Sequence, residues 1–426
     1  MAPLDLIRTS ALALGLAAPL RRRRTKTALV IAPADIGSLG DAAMLIAACE
    51  TLKRQGFDAV ALLGAEGWAR YGVFDRIVWA DDYFYDGDDR ALARLLWRIR
   101  DFDAAYFVGA DVLDGTYNPP SISRRLKILH WFAAQGKRAT ILGSSFTEAP
   151  SALCIETLKA LPKNAVINAR DPVSKERMER FLRRPVTLVA DVAFLTEADP
   201  TSEQARDFAA WCGRRRAAGD RIVAINASCH NDVKVPDYTA KHIEIARTLL
   251  AEGASLIFVP HDTRSDRSDV VIAEEIMAGL AEDADRIRLC EPNDPRSVKA
   301  VLGLADFIVT GRMHVAILGM GAGVPAFSFG YQGKFEGLYQ LLGLPVDALL
   351  ENPADIAPRY ETILAKIRAG FADAKVHAAT LDANLPRVRE MSLANFGAPT
   401  GGPHHESAPA HRSASAADGS LSAPAN

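Results

Sequence analysis

The 426-residue chain has no apolar run long enough to cross a bilayer: its best candidate, SALALGLAAPL at 10–20, stops well short of the roughly 20 apolar residues a spanning helix needs. Cysteine is scarce. Cys49, Cys154, Cys212, Cys229 and Cys290 are odd in number and show no CxxC spacing. That excludes a disulfide framework or a zinc knuckle as the organising feature, and it fits a reducing cytoplasm. Charge of one sign is also lacking. With 50 Lys and Arg against 52 Asp and Glu, the net charge is −2, so no global field recruits nucleic acid. The basic run Arg21–Arg24 follows the apolar stretch, whereas a secretory signal places its basic residues first. Residues 1–26 therefore read as a mobile basic extension. Its arginines would suit peripheral contact with the inner face of a membrane.

What the chain does contain is alternation. TALVIAP (27–33) is a β-branched run, followed by the loop Gly37-Ser38-Leu39-Gly40-Asp41 and then by AAMLIAACETLKRQG (42–56), with apolar residues at helical spacing. Further strand candidates fall at 57–64, 75–80, 104–110, 138–143, 165–170 and 186–191, with helical segments such as 90–100 and 123–136 between them. A polar, basic stretch at 196–219 marks the expected domain crossing. A second series then runs through strands at 221–228, 254–262, 286–291 and 306–311. The pattern predicts an α/β protein with two Rossmann-like, doubly wound domains facing a cleft, at 27–200 and 220–355. C-terminal helices at 356–396 are placed to return to the first domain. The tail at 397–426 has no apolar periodicity and reads as disordered.

In open parallel sheets, ligands sit beyond the carboxyl ends of strands, so polar residues there carry the functional signal. Gly40 and Asp41 open the first helix, where free N–H groups favour an anion. This is not GxGxxG and no Walker lysine follows, so nucleotide binding is weakly supported. Asp41 serves equally well as a plain N-cap. Arg170 ends strand AVINAR; it either grips a carboxylate or phosphate or pairs locally with Asp171 or Asp191. His261 and Asp262 end LIFVPHD and are candidate ligand contacts. The densest chemistry lies in DFIVTGRMHVAILGMGAGVPAFSFGYQGKFEGL (306–338). Two short apolar runs there deliver Arg312 and His314, then Lys334, to neighbouring strand ends. Two cations beside an imidazole suit an anionic substrate and a proton donor near neutral pH. The alternative is a His314 that only packs within the domain. No metal cluster is visible.

These motifs in order resemble the polysaccharide pyruvyl transferase family. The resemblance spans roughly 27–390. It is carried by GRMHVAILGMGAGVPAFSFGYQGKFEGLYQLLGL (311–344), supported by GSLGDAAML (37–45), ARDPVS (169–174), LVADVAFL (188–195) and VPHDTRSD (259–266). Two departures stand out. Ser38 occupies the place of an Asn, and Gly109-Ala110-Asp111 occupies that of a Gly-Gly-Gly turn. The resemblance implies a glycosyltransferase-B-like fold. It also implies phosphoenolpyruvate as co-substrate with no further cofactor, and a saccharide acceptor, free or lipid-linked. Arg170, Arg312, His314 and Lys334 correspond by position to the family's donor-binding and catalytic residues. A nucleotide-sugar glycosyltransferase, with Glu336 on the ribose, is the competing enzyme reading. A non-catalytic saccharide-binding relative is the third.

Overall fold

The computed structural model describes residues 25–330 and 333–397. Seven strands form the first sheet: β1 (Thr27–Ile31), β2 (Ala59–Gly64), β3 (Arg76–Trp79), β4 (Ala104–Phe107), β5 (Arg138–Ser144), β6 (Val166–Ala169) and β7 (Thr187–Leu188). Six form the second: β8 (Arg221–Asn226), β9 (Ala254–Phe258), β10 (Ile287–Leu289), β11 (Phe307–Thr310), β12 (Ala326–Phe329) and β13 (Leu350–Glu351). Their orders are β3-β2-β1-β4-β5-β6-β7 and β10-β9-β8-β11-β12-β13. Pairings are parallel throughout, for example Ala28 with Val60 on one side and Ala104 on the other. The apolar runs TALVI and FIVT are buried along their whole length, as strands covered by helices on both faces must be.

In each sheet the strand order reverses once at the centre, between β1 and β4 and between β8 and β11. The carboxyl ends at these two switch points face each other, and loops from the two domains meet there. Ser38 and Asp262 form an antiparallel bridge. Leu39 N donates to His261 O at 3.1 Å, and Thr263 N donates to Gly37 O at 2.9 Å. Gly37 has φ +119°, a conformation that a residue with a Cβ rarely adopts.

Two boundaries differ from the sequence reading. The polar stretch expected to be a crossing contains a helix, Glu203–Ala217, with Ala205, Phe208, Trp211 and Cys212 buried. Those four lie at helical spacing, but the run of arginines on the exposed face hides them. This helix packs on β8, so it belongs with the second sheet. The helix Tyr360–Ala372 also stays with the second sheet, where Phe371 meets Phe307 at 6.0 Å. The return is made by the next helix, Ala374–Leu393, and the residues after it. There the donors run from Ser392 Oγ to Asp191 O, and Asn395 Nδ2 to Ala190 O. The chain thus crosses between domains twice. Residues 1–24 and 398–426, which hold most of the expected extension and tail, lie outside the described residues. No described helix is long and apolar enough to cross a membrane.

Candidate active site between the two domains

The loops at the switch points enclose a cavity of about 350 Å³. Arg170, Arg312, His314 and Lys334 all line it, together with Asp41, His261 and Asp262. The sequence had spread these residues over 294 positions, from 41 to 334. Gly40 sits just behind the wall, where a Cβ would fall inside the His314 imidazole. Glycine is therefore what lets the first helix approach this histidine. Glu336 is not part of the wall, and its Oε2 is buried with no partner among the described residues. The ribose contact expected for it has no cavity to face.

Each cation is matched by a carboxylate. Arg170 leaves β6 and donates from Nη1 to Asp191 at 2.6 Å and from Nε to Ser145 Oγ at 2.8 Å. Arg170 and Asp191 are 1% and 2% exposed. Of the two local pairings expected, Asp191 is the one formed. Asp171 instead caps the helix Pro172–Leu182 by accepting from Ser174 N. Burial alone would raise the Asp191 carboxyl, but Arg170, then His314, outweigh it and hold it well below the usual range.

Arg312 is fixed more tightly. Its Nε and Nη2 donate to the two oxygens of Asp269 at 3.0 and 2.7 Å, and Nη1 lies 3.0 Å from His230 Nδ1. Asp269 also accepts from Cys229 N, His261 N and Asp262 N. It therefore anchors three loops and the arginine at once. Thr310 Oγ1 accepts from Arg312 N at 2.9 Å and sets the turn. At Gly311 a Cβ would meet Tyr238 Oη at 2.6 Å.

His314, on the helix Met313–Met320, points Nε2 at both Arg170 Nη1 (3.4 Å) and Asp191 Oδ2 (3.5 Å). A second-domain imidazole thus meets a first-domain ion pair. It stacks on His261 with ring centroids 6.0 Å apart and planes 8° from parallel. His261 is a hinge contact: its Nε2 accepts from Gly40 N at 3.0 Å, so that nitrogen carries no proton. Burial first, then Arg312, keep His261 neutral. Asp262 is taken up by Arg264.

Asp41 is not the N-cap. Ser38 Oγ accepts from Asp41 N and caps the helix Leu39–Arg54. Asp41 sits in the first turn with its carboxyl in the cavity, 3.7 Å from Arg264. Burial raises it to about 6, against the opposing pull of Arg264 and His314. Lys334 begins the helix Lys334–Leu342 and reaches Asp111 Oδ2 at 3.4 Å. The residues that sequence reasoning missed are thus the counter-charges, Asp111, Asp191 and Asp269. Asp191 had been noticed only as a local partner, and Asp111 only as a replaced glycine. The described residues include no group of three or more His, Cys, Asp or Glu side chains placed to hold a metal.

Two facing Rossmann-like domains with the site between their switch points define a glycosyltransferase-B-like fold. Among solved structures, the chain is similar to S. aureus MnaA in its co-structure with UDP (11% identity, 84% of this chain and 91% of that one, TM-score 0.56). It is also similar to UDP-GlcNAc 2-epimerase from Methanocaldococcus jannaschii (10%, 81% and 92%, 0.53) and to a glycosyltransferase from Rickettsia africae ESF-5 (10%, 88% and 100%, 0.52). At such identities the likeness establishes the fold alone. No curated protein matches by sequence. The family model for polysaccharide pyruvyl transferase matches residues 39–333. The chain belongs to the polysaccharide pyruvyl transferase family, and is accordingly a transferase of polysaccharide biosynthesis.

Proposed function

We propose that the protein transfers a pyruvyl group from phosphoenolpyruvate to a saccharide, forming a pyruvate ketal and releasing phosphate. The observation that carries this reading is the meeting of His314 with Arg170, Arg312 and Lys334 in one small cavity. Phosphoenolpyruvate carries a carboxylate and a phosphate, and three cations preset around it would offset the charge that grows on the leaving phosphate. His314 delivers a proton to the methylene carbon, which becomes the methyl group. A sugar hydroxyl attacks the adjacent carbon, the C–O bond to phosphate breaks, and a second hydroxyl closes the ring. The two hydroxyl protons balance the one delivered to carbon and the one taken up by the phosphate. Asp41 is placed to take the first of them. An acceptor carried on a lipid would bring the enzyme to the inner membrane face.

The test is direct titration of the protein with phosphoenolpyruvate against UDP- and GDP-sugars. Saturable binding of phosphoenolpyruvate, weakened by Arg312→Ala, is the expected result. Binding of a nucleotide sugar without phosphoenolpyruvate would favour a glycosyltransferase instead.

Asp41 carries a second expectation. Its folded pKa, about 6, lies above its ordinary 3.8. As a base it works only when ionised, so kcat/KM for the acceptor should fall as pH drops through about 6. Asp41→Asn should be slow and should lack that limb. The same shift makes ionisation oppose folding. Stability is lost as pH rises from 3.8 to about 6. Above pH 6, therefore, Asp41→Asn should be more stable than the parent by up to about 3 kcal/mol. Urea melts at pH 5 and pH 7.5 read this out; equal stability at both would remove the argument.

A further inference from the structure

The proposed reaction leaves the sugar without an assigned seat. Two residues on the loop after β4 face the reacting groups from the first domain. Asp111 Oδ2 lies 3.4 Å from Lys334 Nζ and 3.4 Å from Tyr117 Oη. Both contacts are long, beyond the usual hydrogen-bond range of about 2.7–3.2 Å. Lys334 is buried, but the Asp111 side chain is 36% exposed. Tyr117 is 55% exposed and lines the same cavity. Ala110 holds the turn at φ +46°, in a region where most residues are strained. The Gly-Gly-Gly pattern of the family would place no side chain here, so Asp111 is this chain's own feature.

A carboxylate is an acceptor-only group with room for two donors. Vicinal hydroxyls supply two, and an exposed aromatic face suits the C–H side of a sugar ring. Asp111 also stands where the donor's charge must go. When the donor arrives, its phosphate and Asp111 compete for one ammonium group. A carboxylate left without its cation gains most from new hydroxyl donors. Donor and sugar binding are then positively coupled.

We propose that Asp111 and Tyr117 form the acceptor subsite for a neutral sugar ring with adjacent hydroxyls, and that the Asp111–Lys334 pair makes sugar binding depend on donor binding. This rests on the phosphoenolpyruvate reading above. Phospholactate has the donor's carboxylate and phosphate without its double bond, so it can fill the site without reacting. The experiment measures binding of a panel of p-nitrophenyl hexosides by saturation-transfer NMR, with and without phospholactate. A separate titration uses phosphoenolpyruvate alone. Wild-type protein is expected to bind at least one hexoside about tenfold more tightly with phospholactate present. Tyr117→Ala and Asp111→Asn should both lose that gain. Asp111→Asn should bind phosphoenolpyruvate as well as the parent, or up to about fivefold more tightly, because a weak competing ion pair is gone. If Asp111→Asn does not fold, Tyr117→Ala decides the matter. Three results would overturn the inference alone: no hexoside bound to wild type with phospholactate, an undiminished gain in the variants, or lost donor affinity in Asp111→Asn. Failure of wild-type protein to bind phosphoenolpyruvate would instead remove the underlying reaction, and this inference with it.

Discussion

His314→Ala should bind phosphoenolpyruvate about as well as the parent protein and turn over about 10²–10⁴-fold more slowly. The donor's charge is met by Arg170, Arg312 and Lys334, and none of these depends on the imidazole for its position. Arg312 is held by Asp269 and Arg170 by Asp191 and Ser145. Removing the ring therefore leaves the clamp standing and takes away the proton. The imidazole itself is oriented by contacts that belong to the other domain, Nε2 against Arg170 and Asp191 and the ring face against His261. The acid is thus assembled only when the domains are together. Single-turnover phosphate release, with donor affinity measured separately, checks the split. Normal turnover would take His314 out of the mechanism.

The second large effect falls on stability. Asp191→Ala should destabilise the protein by about 3–5 kcal/mol, because it leaves the buried Arg170 guanidinium without its counter-charge. Both side chains are all but inaccessible, so water cannot replace the lost partner. Urea denaturation at pH 7 measures this. A change under about 0.5 kcal/mol, typical of a surface site, would contradict the picture of a closed ion pair. Asp191→Asn keeps the shape and separates charge from packing.

Much of this site was legible because its cations follow strands. A short apolar run ending in a charged residue places that residue at a sheet's carboxyl edge, and this placed Arg170, Arg312, His314 and Lys334 correctly. The carboxylates were less legible. Asp269 begins a helix and looks like an ordinary helix-start residue. That it reaches Arg312 depends on the loops after β8, β9 and β11 meeting in space. No local pattern encodes such a meeting. Asp41 had been equally readable as a cap, and Ser38 holds that post because its shorter side chain precedes the helix. The helix Glu203–Ala217 was hidden by its arginines. The two-residue strand β13 is too short to have any period. The long-range counter-charges also changed the character of the cavity. What reads as a cationic patch in sequence is a set of matched ion pairs, so the donor must displace carboxylates as well as fill space. The loose contact between Lys334 and Asp111 is where that displacement is easiest.

The most direct test of the central claim is to incubate the protein with phosphoenolpyruvate in D2O. Candidate lipid-linked or nucleotide-linked saccharides are added, and inorganic phosphate and the product's methyl group are followed. The account predicts phosphate released in step with a ketal whose methyl carries one deuterium delivered by the solvent-exchanged acid. No phosphate release with any acceptor, together with no binding of phosphoenolpyruvate, would contradict it.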